Sequence, residues 1–124
     1  MNSSALNILV VDDEAPVTAS IKVVLGSAGH SVDVLHDGEE ALTRLAEFPN
    51  HYHLLITDHL MCKVSGIQFL LQLPVNAFRG KIIVLSAYLT PQLEKDFKSL
   101  GAERIIRKPF DLDELRTAVE ELRK

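Results

Sequence analysis

The feature that most constrains this chain is a regular alternation: short runs of β-branched and leucine residues, each followed by an amphipathic stretch, five times in 124 residues. Ile8-Leu9-Val10-Val11 is uninterrupted and stops at Asp12-Asp13-Glu14. Such a run reads as a strand buried on both faces, the habit of a parallel sheet. Pro16 suits a helix's first turn, Val17, Ile21, Val24, Leu25 and Ala28 recur at helical spacing, and Gly26 and Gly29 close that helix. Ser31–Leu35 is a second strand and Asp37-Gly38 a turn. Ala41, Leu42, Leu45 and Ala46 then mark a second helix, ending near Pro49-Asn50.

The cycle repeats. Leu54–Thr57 is a strand running into Asp58, and Ser65 through Leu73 an apolar helix stopped by Pro74. Lys81–Leu85 is a fourth strand leading to Ser86, and Thr90-Pro91 opens a helix with Leu93, Phe97 and Leu100 on one face. Arg104–Arg107 is a fifth, more polar strand. Asp111 and Glu114 have capping-box spacing ahead of Leu115, Val119 and Leu122. Five strand–helix units predict one domain over residues 1–124: an α/β, doubly wound, five-stranded parallel sheet with helices on both faces.

Composition narrows the function classes. The net charge of −4 argues against a surface built to grip nucleic acid. The lone Cys62 cannot form an internal disulfide, and the N-terminus lacks the basic start of a signal peptide. No stretch approaches the roughly twenty apolar residues of a membrane helix, so a soluble, cytoplasmic protein is expected.

Ligands of open α/β sheets bind beyond the carboxyl ends of the strands. The residues falling there are Asp12 and Asp13 after the first strand, Asp58 after the third, Ser86 after the fourth and Lys108 after the fifth. Carboxylates brought together raise one another's pKa unless a cation sits among them. Mg²⁺ takes a few carboxylates plus carbonyl and water oxygens, so Asp12, Asp13 and Asp58 form a candidate Mg²⁺ pocket. Lys108 and Ser86 suit phosphoryl oxygens. Singly, each residue reads as a turn former, a cap or a loop residue. The combination in strand order is what carries chemistry.

In these residues the chain resembles the receiver domains of two-component response regulators, the family of the chemotaxis switch protein. The resemblance spans about Ile8 to Leu122. It rests on Val10–Glu14, Asp58-His59-Leu60-Met61 with Gly66 beyond, Val84-Leu85-Ser86-Ala87, and Gly101-Ala102 leading to Lys108-Pro109-Phe110. It implies a flavodoxin-like (βα)5 fold and a phosphorelay switch that catalyses only its own phosphorylation and dephosphorylation. Asp58 would take a phosphoryl group from a sensor histidine kinase or phosphotransfer protein. Asp13, Asp58 and the Leu60 carbonyl would ligate Mg²⁺ directly, with Asp12 acting through water. Lys108 would pair with the phosphoryl group beside a cis bond to Pro109, and Ser86 would swing toward it. An output domain or target protein would read the change. Leu60 and Tyr88 occupy positions that tune phosphoryl lifetime, and their bulk implies slow loss.

Two positions depart from the family pattern. Cys62 stands where proline is usual, and Ile105 where an aromatic ring usually tracks the movement of the Ser/Thr. With no ring to swing, the signal is expected to leave through Ala87–Thr90 and the next helix. His59 is expected at the surface, the pair His51/His53 is too little for zinc, and Arg79, Lys81, Arg104 and Arg107 read as solvated charge. Three other functions are weighed. An aspartyl phosphohydrolase would need a cap, for which the chain is too short, and a dinucleotide site would need a G-x-G, which is missing. A pseudo-receiver would not need the complete set of acids, Ser86 and Lys108.

Overall fold

The chain folds as the alternation predicts. A computed structural model describes residues 5–59, 65–73 and 78–122. The order is β1 (Asn7–Val11), α1 (Ala15–Ser27), β2 (Ser31–Leu35), α2 (Gly38–Glu47), β3 (Leu54–Asp58), α3 (Gly66–Leu71), β4 (Lys81–Ser86), α4 (Pro91–Ser99), β5 (Ala102–Arg107) and α5 (Leu112–Leu122). The five strands form one sheet in the order β2-β1-β3-β4-β5, every pair parallel.

Alternate residues of each strand face opposite layers, so the sheet has two apolar cores. Ile8, Val10, Ile56, Ile83, Leu85 and Ile106 pack with Ile21 and Leu25 of α1 and with Leu115, Ala118 and Val119 of α5. Leu9, Val11, Leu55 and Val84 pack with Ala41 and Leu45 of α2, Phe69 and Leu70 of α3, and Phe97 of α4. Each fully buried Leu, Ile or Phe side chain contributes about 1.5–3 kcal/mol, so the central strands are the most firmly held part of the fold. Among the described residues no helix is long and apolar enough to cross a membrane.

Several boundaries differ from the sequence reading for local reasons. Gly26 lies inside α1, and the chain reverses at Gly29, whose φ of +98° suits a residue without Cβ. Asp37 is an N-cap as well as part of a turn, accepting from the Glu39 and Glu40 amides. Helix α3 ends at Leu71, two residues before the expected Leu73. A capping box with both reciprocal bonds forms at Ser65 and Gln68, while Asp111 accepts from the Asp113 amide at the start of α5. β5 begins at Ala102 rather than Arg104. As an edge strand it carries the exposed Glu103 and Arg104, which hide its start from an apolar pattern, and its pairing shifts register opposite Ile82/Ile83.

Candidate functional site

Because all strands run the same way, their carboxyl ends meet along one edge, and the acids gather there. Asp12 follows β1 and is 0% exposed; Asp58 ends β3 and is 5% exposed. Lys108 follows β5 and its backbone N–H donates to the Ser86 carbonyl at 2.8 Å, which ties it to the end of β4. Its Nζ lies 2.8 Å from Glu14 Oε1, 2.9 Å from Asp12 Oδ2 and 3.2 Å from Asp58 Oδ2. The Lys108–Pro109 peptide bond is cis.

The other carboxylate oxygens are held by backbone. Asp12 Oδ1 accepts from the Glu14 N–H at 2.9 Å, and Asp58 Oδ1 from the His59 N–H at 2.9 Å. The amides thus aim the second oxygen of each acid at the ammonium. Burial and the neighbouring Asp12 push the Asp58 carboxyl up to about 6, against the opposing pull of Lys108 and the His59 amide. Burial alone would lower Lys108, but its hydrogen bonds to Glu14 and Asp12 and the charge of Asp58 hold the ammonium above its ordinary value.

Asp12, Glu14 and Asp58 each offer an oxygen within 4.8 Å of the others. Three carboxylates face one ammonium, which leaves the cluster two negative charges in excess if all are ionised. An all-oxygen donor set of this charge fits a hard divalent cation, and the convergence of the carboxylates on Lys108 shows that a positive charge is accommodated there.

Sequence reasoning placed Asp12, Asp58 and Lys108 together, and the structure does so. Asp13 is exposed and is not one of the three converging acids. Leu60 lies outside the described residues, as does Cys62. Glu14 was missed. It occupies the N-cap position of α1 but makes no side-chain cap, so its carboxylate reaches Lys108 instead. A carboxylate directly before a proline-started helix was the available signal.

Ser86, at the end of β4, is buried. Its hydroxyl donates to the Tyr88 carbonyl at 2.5 Å and accepts from the Tyr88 N–H at 3.2 Å, so it closes the turn into α4. Gly66 closes the other side: its N–H donates to the His59 carbonyl, and a Cβ there would come within 2.9 Å of the Asp58 carbonyl and of His59 Cα.

The expectation that His59 is a surface histidine is wrong. It is 7% exposed, and its ring meets Phe97 of α4 edge-on with centroids 5.1 Å apart. The position after Asp58 still lies beneath a helix layer, so the strand's burial carries over to it. Its Nδ1 is buried without a hydrogen-bond partner among the described residues, and burial lowers its pKa. His53 Nδ1 accepts from the Asn7 amide and the His51 ring packs edge-on against Tyr52, so the two rings do not converge as a metal-binding pair.

Residues 8–120 match the family described as "Response regulator receiver domain". The chain is 33% identical over 110 residues to the two-component response regulator PhoP of Pseudomonas aeruginosa, covering 89% of this chain and 48% of that protein. It is 33% identical over 111 residues to the response regulator MprA of Mycobacterium tuberculosis, covering 90% and 47%. The chain thus spans about half the length of the curated relatives it matches. The receiver domain of Francisella response regulator 1452 superposes with a TM-score of 0.85 at 29% identity, covering 95% of this chain and 96% of that one. The Vibrio cholerae chemotaxis protein CheY4 shares the fold with a TM-score of 0.84 at 23% identity, covering 95% and 98%. With the acids and the lysine at the strand ends and the match running nearly from end to end, the chain belongs to the response regulator receiver domain family, a phosphoacceptor module of two-component signalling.

Proposed function

We propose that Asp58 is the phosphoacceptor, that Mg²⁺ is the cation of the acidic pocket, and that a sensor histidine kinase or phosphotransfer protein is the donor. The observation that carries this reading is the convergence of Asp12, Glu14 and Asp58 on Lys108 at the carboxyl edge of the sheet. Asp12, Asp13 and Asp58, with the Leu60 carbonyl, are the proposed metal ligands. Bound there, the metal supplies charge neutralisation between the acids and the incoming phosphoryl oxygens.

The chain's own residues do the rest by position and charge. An Asp58 carboxylate oxygen forms a bond to phosphorus as the phosphorus–nitrogen bond of the donor phosphohistidine breaks and its imidazole leaves. The His59 amide fixes the other Asp58 oxygen and so sets the direction of attack. Lys108, already 3.2 Å from Asp58, turns its positive charge to the transferred group. The Ser86 hydroxyl leaves the Tyr88 carbonyl for a phosphoryl oxygen, which opens the turn ahead of α4. An output domain or separate target reads that movement. Beyond this self-modification no reaction on another substrate is proposed.

Intact-mass measurement after incubation with acetyl phosphate tests the chemistry. One phosphoryl group is expected on the wild type with Mg²⁺, and none without Mg²⁺ or in Asp58→Asn. No addition to the wild type, together with no Mg²⁺ binding, would leave the pseudo-receiver as the reading. The exit route has its own test: spectra of the free and beryllofluoride-bound forms should differ over Ala87–Leu100, and an unchanged segment there would refute it.

A further inference from the structure

The opposite edge of the sheet, where the strands begin, holds a cleft of about 370 Å³ that phosphoryl chemistry at Asp58 does not use. It lies between the approach to β1, the α2–β3 loop, the start of β4 and the end of α5, and its cations come from Arg79 and Lys81, with the His53 ring beside them. None of the described lining residues is acidic, although the chain's net charge is −4.

Hydrogen bonds position Lys81 and His53 at this cleft. The Lys81 N–H donates to the His53 carbonyl at 3.0 Å, holding β4 against the α2–β3 loop. Lys81 Nζ donates to the Leu122 carbonyl at 2.7 Å, so one of its three protons secures the end of α5 and two are left. His53 Nδ1 accepts from the Asn7 N–H at 2.9 Å, which places the ring proton of the neutral imidazole on Nε2 as a donor. Arg79 is exposed, and its guanidinium has no hydrogen bond or ion pair among the described residues. Leu6, Pro49, Leu54 and Leu122 supply apolar wall. Fork-shaped and point cations beside a short apolar wall match a phosphate group with a small hydrocarbon body, and the volume lies at the low end for small-molecule pockets.

We propose that this cleft binds a small phosphate monoester, with Arg79, Lys81 and the His53 Nε2–H on the phosphate and the leucine-lined wall against the organic group. The site is independent of the acid cluster, so its test runs without metal. Amide spectra of the full chain in EDTA would be followed as phenyl phosphate is added, with inorganic phosphate and sodium chloride at matched ionic strength as parallel arms. Saturable shifts are expected at His53, Leu54 and Arg79–Lys81, with binding weakened about tenfold or more in Arg79→Gln, whose melting temperature should equal the wild type's. Inorganic phosphate binding as tightly as phenyl phosphate would overturn the assignment to an ester. Shifts reproduced by chloride, or unchanged in Arg79→Gln, would overturn the site.

Discussion

Replacing Asp58 with Asn should stabilise the metal-free protein at neutral pH and leave it unchanged in acid. An Asp58 carboxyl raised from 3.8 to about 6 means that the fold favours its neutral form. At about 1.4 kcal/mol per pH unit, a gap of roughly two units makes the ionised carboxylate cost the fold about 3 kcal/mol. The sign follows from proton binding. Between about pH 4 and pH 6 the folded chain holds a proton that the unfolded chain has released, so stability falls as pH rises through that window. Above the folded value the whole penalty stands; below the unfolded value none of it does. Asn mimics the neutral acid and keeps an oxygen for the His59 amide, and the attraction of Lys108 for the ionised form is already included in the raised value, so the penalty of about 3 kcal/mol is an upper bound on the gain. The expected gain is therefore about 1–3 kcal/mol.

The assay is urea unfolding of wild type and Asp58→Asn in EDTA at a series of pH values. Taking the difference between the two proteins cancels every other titrating group that the substitution leaves alone. That difference should be near zero at about pH 4 and climb to a plateau above about pH 7. Added Mg²⁺ should then stabilise the wild type more than the variant, because binding to the folded state alone raises stability by mass action. A difference that is flat with pH, or an Asn variant less stable than wild type at pH 8, would refute the claim that crowded negative charge strains this site.

Three further outcomes follow from single contacts. Lys108→Gln removes the ammonium shared by Asp12, Glu14 and Asp58, and should cost about 2–3 kcal/mol in metal-free urea unfolding at pH 7.5, a deficit that shrinks toward pH 5 as Asp58 protonates. Gly66→Ala drives a Cβ to within 2.9 Å of the Asp58 and His59 backbone, which has no room to yield, and should lower stability by about 1–3 kcal/mol; a variant melting with the wild type would show that α3 can shift. His59→Leu keeps an apolar contact with Phe97 and removes a buried nitrogen without a partner among the described residues, so its melting temperature should match or exceed that of the wild type.

The fold was legible because a parallel sheet writes itself in sequence as unbroken apolar runs, and the runs that end at Asp12, Asp58 and Ser86 end where the site begins. Three of the expected site residues, Asp12, Asp58 and Lys108, converge for the same reason: strand ends are the one place where topology alone sets proximity. What escaped depends on side-chain direction. Glu14 reads as one more helix-opening acid, and only the structure shows it turning away from its cap to Lys108. His59 reads as polar and therefore exposed, but its surroundings are set by Phe97, 38 residues away in sequence. The polar start of β5 escaped because an edge strand needs to bury only one side of itself.

The same distinction bears on how a change at Asp58 reaches the rest of the molecule. In the register of the sheet Val11, Thr57, Val84 and Ile105 form one row, and Ile105 packs in the apolar layer that contains Phe97 of α4. An isoleucine fills that place without a ring that could move between two positions. The ring contact to α4 comes instead from His59, whose own N–H holds Asp58, and the Ser86 hydroxyl grips the turn that leads into the same helix. Among the described residues these two connections from the acid site end at α4 or its leading turn, while Lys108 bonds Glu14 at the start of α1. Under the phosphorylation of Asp58 proposed above, the added charge faces the His59 N–H, Lys108 and the Ser86 hydroxyl, and of these three the Ser86 hydroxyl is the one now bonded to a neutral carbonyl rather than to a carboxylate.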